Sequence, residues 1–135
     1  TLSVPSKAFV ETNDRGLPTG SILPVSGHDV DFREGKSVNG HNVHHVFTEL
    51  LRDDSGMCVV TVADSSSGMV EVAMDRNFPY VAISTNDDLP TGQRRTGVSI
   101  TPMTCPPDAL RSGKDLVVLE PGQHWAASWR IRRVS

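Results

Sequence analysis

Short runs of β-branched and apolar residues, each closed within a few positions by a turn-forming cluster, recur along the whole chain. The sharpest is Met69-Val70-Glu71-Val72-Ala73-Met74, whose alternation sends one row of side chains toward a core and the other toward water or a second sheet. Asp53-Asp54-Ser55-Gly56, Ser65-Ser66-Ser67-Gly68 and the stretch 86–92 separate such runs with residues that tolerate turn geometry. Strands are expected over 8–11, 21–25, 44–51, 57–64, 69–75, 80–85, 97–103, 116–120 and 125–134. Asp53 to Gly56, between two apolar strands, reads as a hairpin. Pro18-Thr19-Gly20 and Pro121-Gly122 read as turns, Pro fixing φ and Gly admitting positive φ. Only 107–112 has room for a helical turn. The fold class is therefore all-β, an antiparallel β-sandwich, with residues 1–135 forming a single domain and no internal repeat or linker.

A chain of 135 residues is long enough for a real core. Its net charge of -3 argues against nucleic acid, which selects a concentrated basic face. Arg130, Arg132 and Arg133 cluster only in the terminal strand, where alternation makes them a solvated edge. No apolar run approaches the roughly 20 residues of a membrane span, and no signal peptide is present, so a cytoplasmic protein is expected. Cys58, in an apolar strand, and Cys105, flanked by prolines, read as reduced structural thiols rather than a disulfide or a nucleophile. His41, His44 and His45 form H-x-x-H-H. On a strand His41 and His45 share a face and His44 points away, and no carboxylate or Cys at ligand spacing completes a zinc site. No metal and no cofactor is expected. His28 and His124 read as surface residues.

The segment 94–110, RRTGVSITPMTCPPDAL, resembles a strand of the bacterial branch of the aldose 1-epimerase (galactose mutarotase) family, written roughly RRxGVAIEPMTCPPDAF. Residues 14–33, DRGLPTGSILPVSGHDVDFR, resemble the family's D-x-x-x-PTG-x-x-x-PV-x-GT-x-x-DFR, with His28 where Thr is usual. VHHVFTEL at 43–50 is similar to LDHxFTDL, with His44 in place of Asp. LVVLEPGQHWAASW at 116–129 is similar to the closing LxPGExxxxxW strands. The matches fall in the family's order. They imply a part of the large mutarotase supersandwich, corresponding to its C-terminal half. The resemblance further implies that an N-terminal half supplies more strands and two sugar-contacting histidines. A processed piece, an expressed fragment and one subunit of a split protein are the alternatives. A half-sandwich leaves apolar faces and strand edges uncovered, so the missing half, as a separate chain or a second copy, is the expected partner.

The family reaction interconverts the α and β anomers of an aldose. A base removes the anomeric hydroxyl proton while an acid protonates the ring oxygen, and the opened aldehyde rotates and recloses. The resemblance places the base at Thr101, where the family has Glu, and a sugar-binding Asp at His44. A hydroxyl cannot accept a proton near neutral pH as a carboxylate does. Three readings follow. One is a sugar-binding relative that has lost its chemistry, with Thr101, His44, His45 and Arg94 as candidate contacts. Another is an active isomerase with His44 as replacement base, since imidazole changes charge between about pH 5 and 8. The third is a structural subunit completing a partner's sandwich. Asp31-Phe32-Arg33 is assigned to a core aromatic and a loop-tying ion pair. Trp125 and Trp129 are expected to form an aromatic core row rather than a sugar-stacking platform.

Overall fold

The computed structural model describes residues 1–134, and they form two antiparallel sheets packed face to face. The first contains β1 (Leu2–Ser3), β5 (Cys58–Asp64), β6 (Gly68–Met74) and β9 (Trp129–Val134), in the order β1-β5-β6-β9. The second contains β2 (Ser6–Thr12), β3 (Pro18–Pro24), β4 (His44–Leu50), β7 (Tyr80–Ser84) and β8 (Ser99–Met103), in the order β3-β2-β4-β7-β8. Among the described residues the helical content is one turn, α1 (Ala109–Ser112).

Alternation builds the core. In β6 the inward row Val72 and Met74 pairs with Val60 and Cys58 of β5, and Val70, one step further on and paired with Val62, is already exposed. Opposite it stand Phe47, Val81 and Ile83 of the five-stranded sheet, with Phe32 and Val43 closing the layer from loops. Each such side chain contributes about 1.5–3 kcal/mol through burial. Polar groups caught in this interior are satisfied: the fully buried Ser6 hydroxyl donates to the carbonyls of Ala8 and Thr48, at 2.7 and 2.5 Å. The Asp31–Arg33 pair, 2.6 Å apart, ties down the loop whose Phe32 enters the core.

Several expectations are corrected. Asp53 to Gly56 is a tight turn, with the Asp53 carboxylate accepting from the amides of Ser55 and Met57 at 2.9 and 3.0 Å. It is not a hairpin, because β4 and β5 lie in different sheets. Turn chemistry reverses the chain without choosing its partner, and β4 is already flanked on both sides by β2 and β7. Arg52 secures this crossing by donating to the carbonyls of Met74 and Phe78, each at 2.9 Å. Pro18-Thr19-Gly20 belongs to β3 rather than to a turn, beside a register shift in β2 between Val10 and Thr12. β1 is too short to leave a periodic signal.

The segment 116–120 forms no strand: it is extended chain without a ladder partner among the described residues, and Val118 is 68% exposed. Apolar, β-branched residues make a strand only where a neighbouring edge supplies hydrogen bonds. The last strand begins at Trp129 rather than at 125. Trp125 and Trp129 are 41% and 55% exposed and do not form a core row. Trp129 and Ile131 pair with Met74 and Val72, so they continue the inner row of β6 past the point where the second sheet covers it. The sandwich is thus open along β9. Arg130, Arg132 and Arg133 are solvated on this edge strand, with Arg132 on Glu71 at 2.6 Å.

Burial pushes the Cys58 thiol up to about 11, whereas Cys105 is only half-buried. Ellman's reagent at mildly alkaline pH is expected to titrate Cys105 in the folded protein and Cys58 only after denaturation. Met74 has no exposed surface, and Met74→Ala is expected to lower the unfolding free energy in urea by about 2–5 kcal/mol.

Candidate functional site

Three strands carry the site on the face turned away from the core. His44 pairs with Ser84, and Ser84 with Ser99; one step along, Val46 pairs with Ala82, and Ala82 with Thr101. Directly paired residues project to the same side, so His44, Ser84, Ser99 and Thr101 share one outward face. The inward row of the same strands is His45, Phe47, Val81, Ile83 and Ile100. Pro107, in the loop before α1, and Thr12, at the end of β2, help to wall in a depression of about 110 Å³ on that outward face. The loop is held over the sheet by the Tyr80 hydroxyl, which donates to Asp115, and by the buried Ala109.

His44 and Thr101 therefore line one depression, as the motifs suggest. They do not touch. Two strand spacings and two residues along the strand separate their backbones by about 12 Å. The His44 Nδ1 lies 3.4 Å from the Ser84 hydroxyl oxygen. The residues lining the depression include no carboxylate.

His45 also borders the depression but turns its ring inward, edge-on to Phe9 with centroids 5.6 Å apart. Its Nδ1 accepts the His44 backbone N–H at 3.2 Å, which requires a lone pair on that nitrogen. Burial, and secondarily the neighbouring His44, hold its pKa below the ordinary imidazole value. His45 is thus a neutral packing histidine. Arg94 does not line the depression; its guanidinium donates to the Leu89 carbonyl within its own loop. His41 lies edge-on to Phe32 and exposed His28 edge-on to Phe9. Among the described residues no group of three His, Cys, Asp or Glu side chains is placed to hold a metal ion. Ser84 and Ser99 were not legible as site residues. Only the strand register, not a motif, brings them beside His44.

The family model for aldose 1-epimerase matches residues 1–132. The uncharacterized protein YihR of Escherichia coli K12 is 23% identical over 120 residues, covering 89% of this chain and 36% of YihR. A crystal structure of a GalM/aldose epimerase homologue from C. elegans superimposes with a TM-score of 0.75 at 20% identity, over 99% of this chain and 46% of that one. A galactose mutarotase-like protein from Clostridium acetobutylicum gives a TM-score of 0.67 at 19% identity, over 98% and 41%. The fold is that of the galactose mutarotase-like sandwiches, and the chain spans less than half the length of these relatives.

The depressed His45 pKa has a consequence for stability. Between its folded and unfolded values the unfolded chain binds the additional proton, so stability rises with pH across that window. Urea unfolding is expected to show a loss of stability as pH falls below about 6.5, and His45→Asn is expected to flatten that slope.

Proposed function

The chain belongs to the aldose 1-epimerase family, and from that premise we propose that the outward face of β4, β7 and β8 is one wall of an aldose-binding site. Thr101, Ser84, Ser99 and His44 offer hydrogen bonds to sugar hydroxyls there. The reading is carried by one observation: His44 and Thr101, at the positions of two of the family's carboxylates, converge on a single depression. With alcohol and imidazole in place of carboxylates, binding outlasts efficient proton transfer. A second reading, catalysis with His44 as base, is favoured by its exposed ring on that face, the one outward-facing imidazole of the depression.

Titration with glucose or galactose followed by saturation-transfer NMR is expected to give saturable binding. Thr101→Ala and His44→Ala should each weaken it about two- to tenfold, the worth of one hydrogen bond. Anomer exchange, read by exchange spectroscopy, should stay near the spontaneous rate. Exchange well above that rate that falls in His44→Ala would establish the second reading. No saturable sugar binding would remove both and leave the structural-subunit role.

We further propose that a second polypeptide, a separate chain corresponding to the family's N-terminal half or another copy of this one, covers the open side along β9. Trp129 and Ile131 are more than half exposed there on an unpaired strand edge. Light scattering of dilute, pure protein is expected to report association, and a compact monomer would count against it. No helix among the described residues is long and apolar enough to cross a membrane.

A further inference from the structure

We infer that Arg95 is a positioning residue for His44, acting through Asp87 and Thr85; this rests on reading His44 as a sugar contact. Arg95 lies in the excursion between β7 and β8, away from the depression, and its two terminal nitrogens make three hydrogen bonds. One terminal nitrogen donates to the Asp87 carboxylate at 2.6 Å and to the His41 carbonyl at 3.1 Å, and the other to the Val38 carbonyl at 2.5 Å. It therefore staples this excursion to the loop that leads into β4. The second Asp87 oxygen accepts the hydroxyl of Thr85, a side chain only 1% exposed. The same Thr85 oxygen accepts the Val43 backbone N–H at 3.1 Å, and the Thr85 N–H donates to the Val43 carbonyl at 2.8 Å.

These bonds extend the β4–β7 pairing one residue beyond His44 and Ser84. The pairing reaches the imidazole through the backbone, since Val43 and Thr85 immediately adjoin His44 and Ser84, and the Ser84 hydroxyl oxygen beside His44 Nδ1 accepts the Asn86 N–H at 3.0 Å. Arg95 and Asn86 hold φ of 53° and 56°, a left-handed backbone that residues with a β-carbon seldom adopt. Strained backbone of this kind persists where surrounding contacts over-determine it. Hydrogen bonds from Thr85 and then Arg95 hold the Asp87 carboxyl below the ordinary range, so the link stays charged. A lysine could supply the charge but could not donate to these three acceptors from one planar fork.

The test records the His44 ring nitrogens by two-dimensional NMR together with aldose affinity, in Arg95→Ala, Arg95→Lys, Thr85→Val and Thr85→Ser. Arg33→Ala, which opens a different loop ion pair, is the control for general loosening. Arg95→Ala, Arg95→Lys and Thr85→Val are expected to displace the His44 ring signals in the same direction and weaken aldose binding about three- to tenfold. Thr85→Ser, which keeps the hydroxyl, should restore both, and the control should move neither. Unmoved His44 signals in Arg95→Ala, or equal movement in the control, would overturn the inference. If the unmodified protein binds no aldose, the proposed binding site fails, while the ring signals still decide whether Arg95 sets His44.

Discussion

The cross-strand register of β4, β7 and β8 is the constraint on which the core and the candidate site both depend. Phe47 against Val81 and His45 against Ile83 fix the inward row, and the same pairing sets His44 beside Ser84 and Thr101 beside Ala82 on the outward row. A slip of one residue would exchange the rows, sending Thr101 and His44 into the core and Phe47 to solvent. The hydrophobic gain from burying Phe47, Val81 and Ile83 is thus what aims the polar groups outward. Packing and chemistry are two faces of one pleat.

The sheet crossings make that register possible. The chain leaves β4 for the other sheet through the Asp53 turn and returns to β7 after β6, and Arg52, in the first crossing, donates to the Met74 and Phe78 carbonyls of the second. At the far end of the same strands, Thr85, Asp87 and Arg95 perform a comparable service. The four-stranded sheet has no such closure along β9, where Trp129 and Ile131 extend the core row without an opposing layer. The chain spans less than half the length of its relatives.

Much of this was legible in the residues. The alternation in Met69–Met74 and the serine-glycine turn before it marked the β6 strand and the turn that precedes it, and the motifs pointed to His44 and Thr101, which line one depression. What alternation cannot carry is partnership. The Asp53 turn looks like a hairpin turn because its hydrogen bonds are local, whereas sheet membership is decided by which edges are free. Val117 to Leu119 has strand composition but no adjacent edge, and Trp125 and Trp129 have core composition but no covering layer. At the site, Ser84 and Ser99 are common residues placed by long-range register. Arg95 differs from its neighbour Arg94 only through contacts with Asp87, Val38 and His41, which lie far away in sequence or across a loop.

The most direct measurement of the account is a map of backbone amide shifts during addition of a simple aldose. The account predicts that the amides of His44, Ser84, Ser99 and Thr101 move together and saturate on one curve, while those around Trp129 and in β5 stay fixed. Saturating shifts confined to the open side along β9, or spread over strands of both sheets without a focus at Thr101, would contradict it.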